Sequence, residues 1–516
     1  MESKNVKENS PTFDDGEEES VERGSAIGDS AQGICFDNDK FLELQSAKID
    51  ERIKMFGEKL YLEFGGKILD DTPASRVFPG YRPGIKVEML QKLKDKTEII
   101  FCINADHIER RKMRADNNTS YEAELLRLVE KFAALGIPTT AVVITLYTGQ
   151  VAAKKFKNQL EHRRLKVYIH TLTKGYPTDV DTIVSEEGYG AQAFIETTKP
   201  LVVVAAPGPN SGKLATCLSQ LYHERQRGVQ AGYAKFETFP VWDLPLKHPA
   251  NMAYESMTAD LDDVNMIDDF HLERYGEMAV NYNRDLVVFP VLKNILHRII
   301  GRDVYFSPTD MGVNMIGQCI TNDECVRRAA KAEIIRRYLN ALCDYKNGLW
   351  DAVVPERIKI LMDELSISVD DRPVVAAALE RKNRKKSEAV AIGLADGRMI
   401  TGRNKNVMTA SAAAVINAVK ELSGIGEQIH LISPVNLDSM LKLKREVYHE
   451  MRLNLLDVLA ALAVSGATNP TAELALTNLS GLKGLEAHST VMLPKVEIDA
   501  LKKLGLNVTC TDEFAY

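Results

Sequence analysis

Residues 201–222, LVVVAAPGPNSGKLATCLSQLY, constrain the fold of this chain more than any other stretch. A run of β-formers enters a turn rich in glycine and proline, and Lys213 opens a segment with helical apolar spacing. Strand, glycine-rich turn and helix in that order can place backbone N–H groups and the positive end of a helix dipole around a phosphate. The candidate phosphate-binding residues are Gly208, Asn210, Ser211, Gly212, Lys213 and Thr216. The match to a P-loop is imperfect. Gly208 and Gly212 enclose three residues where the pattern has four, and Leu214 stands where a Ser or Thr would hold Mg²⁺. Pro207 and Pro209 lack N–H groups, which lowers the donor count. The alternative is a tight βα turn with a solvated lysine.

Around this stretch, short apolar runs alternate with segments of helical spacing. EIIFCIN (98–104), TTAVVITL (139–146), KVYIH (166–170), AGYAKF (231–236) and DLVVFP (285–290) read as strands. Segments 36–56, 120–135, 152–160, 291–300 and 324–345 read as helices. The expected fold class is multi-domain α/β, with mainly parallel sheets flanked by helices and the P-loop-like unit in the middle domain. The expected division is an acidic tail at 1–34, then α/β domains at 35–199, 200–350 and 351–516. In the last of these, EAVAIGLADGRMITG reads as a hairpin through its Asp-Gly turn, and QIHLI (428–432), STVML (489–493) and NVTC (507–510) as strands.

Charge and cysteine usage exclude several classes. Residues 1–33 hold nine acidic and three basic residues, so most of the net charge of −7 lies there. Such a tail is expected to be disordered, and the near-neutral body offers no broad basic field for nucleic acid. No apolar run reaches the ~20 residues of a membrane span, and no targeting segment is recognisable, so a cytoplasmic protein is expected. Seven scattered cysteines without a CxxC pair point to reduced, buried thiols. HExxH and GxSxG are absent. The basic run RKNRKK (381–386) reads as a solvated loop or a patch for phosphate-rich partners. His488 beside Ser489 reads as a structural histidine.

Other polar residues fall near expected strand ends, where open α/β sheets bind ligands. Lys235, Glu237 and Asp262 are the candidate catalytic groups, to position a metal or exchange a proton. The acidic cluster around Asp262 matches no EF-hand, and helix capping is its simpler explanation. Thr178, Asp179 and Asp181, with Thr309 and Asp310, are candidates for a second wall.

The runs LVVVAAPGPNSGKLATCLSQLYHE, GYAKFETFPVWDLPLKHP, ADLDDVNMIDDFHLE and SPTDMGVNM resemble a widespread, mostly bacterial family of conserved hypothetical proteins with a provisional unknown-function label. The resemblance extends over about 35–516, includes GYPTDVD, ADGRMITG and GLEAHSTVMLPK, and leaves the acidic tail outside. It implies a cytoplasmic, multi-domain α/β protein and transfers no reaction. The related turn is usually APGPGSGK, where this chain has Asn210, a residue that tolerates positive φ. The expectation is an enzyme, transferase or ligase-like, taking a nucleotide, with Mg²⁺, or a phosphorylated metabolite. The alternative is a non-catalytic oligomeric assembly or regulatory protein with an architectural turn. Metal identity and homo-oligomerisation stay open.

Overall fold

The computed structural model describes residues 33–514, apart from Glu58 and 115–118. The acidic tail therefore lies outside the described residues. The chain divides into two compact units, of which the larger is Gly33–Ile334 and the smaller contains Ile335–Tyr516.

In the larger unit the strands are β1 (Leu60–Phe64), β2 (Thr97–Asn104), β3 (Thr139–Thr145), β4 (Val167–Ile169), β5 (Leu201–Ala205), β6 (Gly232–Phe236), β7 (Asn265–Ile267), β8 (Val280–Tyr282) and β9 (Gly312–Val313). All but β7 and β8 form one seven-stranded sheet in the order β4-β3-β2-β5-β1-β6-β9. Every neighbouring pair in it is parallel. Strands β2 and β5 are buried along their whole length, as their unbroken apolar runs require when helices cover both faces. The helices Tyr121–Ala134 and Val151–His162 bury Leu125, Leu128 and Phe132, and Ala153, Phe156 and Leu160, at helical spacing.

The strand order overturns the expected boundary between 199 and 200. Strand β5 sits between β1 and β2, so residues on both sides of that boundary share one sheet. The chain leaves β2 toward the β4 edge and leaves β5 toward the β9 edge, so the carboxyl ends of these neighbours border a topological switch point.

One sequence expectation fails locally in this unit. Residues 285–290 are not a strand but the start of the helix Asn283–Ile300. Its buried residues Phe289, Leu292, Ile295, Leu296 and Ile299 follow the helical period, and Val287 is 78% exposed. The paired valines suggested a strand, but packing of that stripe decides the outcome. The connection 237–284 is ordered, with the helices Pro249–Met257 and Asp269–Tyr275 and the antiparallel β7–β8 pair.

The smaller unit has β10 (Ala389–Gly393), β11 (Met399–Arg403), β12 (Glu486–Ser489) and β13 (Asn507–Cys510), in the order β11-β10-β12-β13. The Asp-Gly hairpin is present as β10–β11, with Gly397 at φ +88. Only β12 and β13 are parallel, so this sheet is mixed rather than mainly parallel. Residues 428–432 form no strand. Leu431 and Ile432 instead reach the core from a loop that leads into the helix Pro434–Leu443. His488 is buried between the hydroxyls of Thr509 and Thr511, at 2.9 and 3.1 Å.

Candidate functional site

The turn 207–213 follows β5 at the switch point and leads into the helix Lys213–Gln226. Asn210 and Gly212 both adopt the left-handed conformation, at φ +54 and +78. The carbonyls of this turn are tied down. Asn104 Nδ2 donates to the Asn210 carbonyl at 3.1 Å, Thr145 Oγ1 to that of Ser211 at 2.8 Å, and Arg114 Nη1 to that of Pro207 at 3.2 Å. The N–H groups are not. Among the described residues, those of Gly208, Asn210, Ser211 and Gly212 find no acceptor. A turn with anchored carbonyls and open N–H groups at a helix start favours negative charge. Gly208 has to be glycine here, because a Cβ would come within 2.4 Å of the Tyr121 ring that covers it.

The candidate residues of this stretch divide. Thr216 is fully buried and donates to the Gly212 carbonyl at 3.0 Å, while the Cys102 thiol donates to its hydroxyl at 3.4 Å. Its hydroxyl is therefore spent on packing. The Ser211 hydroxyl is buried and, among the described residues, has no hydrogen-bond partner. Lys213 turns toward β1, with its ammonium 3.7 Å from Glu63 Oε1.

Glu63 begins a row of charge that leads away from the turn. It accepts from the Tyr233 hydroxyl at 2.9 Å and is the register partner of Lys235 across β1 and β6. Parallel register partners project to the same face, so the two side chains are neighbours there. Lys235 pairs with Asp285 and, at 2.5 Å, with Glu237. Burial pushes the Lys235 ammonium down, but Asp285, Glu237 and Glu63 outweigh it and hold it above its ordinary value. Burial pushes the Glu237 carboxyl up from its ordinary 4.5 to about 7, against the pull of Lys235.

Glu237 also lines a small pocket beyond β6 and β9, together with Trp242, Asn281, Thr309, Gly312 and Asn314. Thr309 therefore meets Glu237 there, while its hydroxyl donates to the buried Asp268 at 2.6 Å. Asp310 is occupied otherwise. Its carboxylate accepts from the Ser307 N–H and the Tyr275 hydroxyl, closing a capping box at the helix Pro308–Met311.

Asp262 is exposed and contributes its backbone, accepting from Asn283 Nδ2 at 3.0 Å. The carboxylate that turns inward is its neighbour Asp263, 3.1 Å from Arg284 and pushed up by burial. Thr178, Asp179 and Asp181 do not join this region. Asp179 caps the short helix Val180–Ile183, and Asp181 pairs with Arg298. Arg298 lies thirteen residues beyond Asp285 on one helix, about 20 Å along its axis.

Mg²⁺ fits the turn poorly, since Leu214 replaces the usual hydroxyl and Thr216 is spent on packing. Among the described residues no group of three or more His, Cys, Asp or Glu side chains is placed to hold a metal. Glu63 and Asp285 escaped sequence reasoning, whereas Asp263 belongs to the acidic cluster noted around Asp262. Glu63 leaves a signal, a charge inside the apolar strand LYLEF, whereas Asp285 was hidden by the mistaken strand. No helix among the described residues is long and apolar enough to cross a membrane.

The state of Glu237 has a measurable consequence. The folded protein holds a proton on this carboxyl that the unfolded chain releases near its ordinary 4.5. The stability it contributes is complete below that value and lost as pH rises through about 7. Glu237→Gln should remove this loss, so urea unfolding should show the variant gaining on the wild type between roughly pH 5 and 7. Parallel stability curves would refute the assignment.

Two family profiles cover most of the chain: the N-terminal part of the domain of unknown function DUF1846 over residues 34–366, and its C-terminal part over 370–516. The chain is 50% identical over 492 residues to a UPF0371 protein of Clostridioides difficile (strain 630), covering 93% of this chain and 98% of that one. A UPF0371 protein of Clostridium botulinum (strain Okra / Type B1) is 52% identical over the same length and shares. With both profiles matched and half its residues shared with full-length relatives, the chain belongs to the DUF1846 (UPF0371) family, a family of unknown function.

Proposed function

We propose that this protein is an enzyme that binds a nucleotide or a phosphorylated small metabolite at the turn 207–213 and handles it with a carboxyl group titrating near neutrality. The observation that carries the reading is the turn itself, with its carbonyls anchored and its N–H groups open at the switch point. A phosphate there would give those N–H groups acceptors and lie against the positive end of the helix Lys213–Gln226. Glu237 supports the catalytic half. A carboxyl held near pH 7 beside a pocket is suited to taking up and returning a proton. This suits a phosphate-handling transferase or ligase-like reaction.

The test is thermal unfolding against a panel of nucleotides and sugar phosphates. Binding at a hundred times Kd adds about 2.7 kcal/mol to stability, so a true ligand should raise the midpoint clearly. Ser211→Ala should reduce that rise. A panel that leaves the midpoint unmoved at millimolar concentration would overturn the reading.

A further inference from the structure

The turn has a charged wall on the side away from Lys213. The chain leaves β2 through the short helix Ala105–Glu109 into residues 110–114, RRKMR, four basic residues in five positions. One of these reaches the turn and a second stands beside the ring that covers it. Arg114 donates to the Pro207 carbonyl at 3.2 Å while pairing with Glu124 at 3.0 Å. The Lys112 ammonium lies 5.6 Å from the centroid of the Tyr121 ring, the ring that covers Gly208, and its side chain is exposed.

Among the described residues, two buried polar atoms beside this switch point have no hydrogen-bond partner. One is Ser211 Oγ, in a residue only 2% exposed, and the other is His107 Nδ1. His107 packs edge-on against Tyr121, with ring centroids 5.2 Å apart. One atom follows β5 and the other follows β2, so they belong to the two sides of the switch point. Burial and the nearby Lys112 keep His107 neutral, its basicity lowered to about 4, so its ring has one N–H to donate. Buried polar atoms without a partner in the chain are open to an ordered water or to a ligand group.

Resting on the reading of the turn given above, we infer that the bound anion is held between the turn and the residues that follow β2, with Lys112 as its charge partner in place of Lys213, and that the ligand carries a diphosphate. The open N–H groups and the Ser211 and His107 side chains accommodate one phosphate. Lys112, at the exposed rim, is placed for a second. Lys213 already faces Glu63.

Isothermal titration of the full chain with inorganic pyrophosphate and with orthophosphate tests this. The wild type should bind pyrophosphate at least about tenfold more tightly, as one extra charge-assisted contact implies. Lys112→Ala, a surface change, should weaken pyrophosphate about tenfold and orthophosphate little, whereas Lys213→Met should have the smaller effect. Equal affinity for the two anions would overturn the diphosphate. Unchanged binding in Lys112→Ala with loss in Lys213→Met would overturn the charged wall and leave the turn as the site. Failure of both anions and of every nucleotide and sugar phosphate to bind the wild type would remove the site and the inference together.

Discussion

Asp71→Ala is expected to destabilise the larger unit by about 3–5 kcal/mol, because it strands a buried ammonium. Lys86 is fully buried, and its Nζ lies 2.7 Å from Asp71 Oδ2. The same ammonium sits 5.9 and 5.5 Å from the ring centroids of Phe64 and Phe236, which stack on each other at 4.2 Å. The aromatic faces give a cation some compensation, but far less than a carboxylate in a site removed from water. Asp71 also caps the helix Thr72–Val77 through the Ala74 N–H, so part of the loss is a lost cap. Urea unfolding of Asp71→Ala, Lys86→Met and the double variant forms a cycle that separates the two contributions. The double variant should recover most of the loss, since an apolar pair of similar volume often replaces a buried ion pair without net cost. A single-variant loss below about 1 kcal/mol would show that the pair is not buried as described. Phe64 and Phe236 end β1 and β6, so this ion pair also anchors the strand ends that carry Glu63 and lead into Glu237.

Gly402→Ala is the second large effect, in the smaller unit. A Cβ at Gly402 in β11 would stand 2.1 Å from the Ala414 backbone nitrogen and 2.5 Å from the Ala410 carbonyl oxygen. Both obstacles are backbone atoms of the helix Ala410–Leu422, so no side-chain rotation relieves the overlap. That helix buries Ala414, Val415, Ala418 and Val419 in the core. Relief requires the helix to lift from the sheet, which loosens this packing at a cost of about 3 kcal/mol. Ala414→Gly would not rescue it, because the clash is with the nitrogen and not with a side chain. A thermal midpoint of Gly402→Ala within experimental error of the wild type would exclude the close approach.

Much of the architecture was legible along the chain because its causes are local. Unbroken apolar runs such as EIIFCIN mark strands that must be covered on both faces, and the structure buries every residue of β2. The Asp-Gly turn specified the β10–β11 hairpin, and the stripe Leu125, Leu128, Phe132 specified one helix face. Where periodicity was ambiguous, the surroundings decided. Residues 285–290 carry β-branched side chains yet pack as a helix, and Leu431 and Ile432 reach the core from a loop.

The chain by itself determined that a strand, a glycine-rich turn and a helix stand at 201–226, with left-handed conformations available to Asn210 and Gly212. Only the tertiary structure decided what surrounds that turn. Placing β5 between β2 and β1 makes a switch point there, sets Lys213 against Glu63 and brings Tyr121 over Gly208. It also aligns Glu63 with Lys235, links Lys235 to Asp285 fifty residues later, and pairs Asp181 with Arg298, far down the helix from Asp285. The physical reason is that periodicity and turn chemistry act over a few residues. The partner of a charge is set by strand order, which joins residues more than a hundred positions apart.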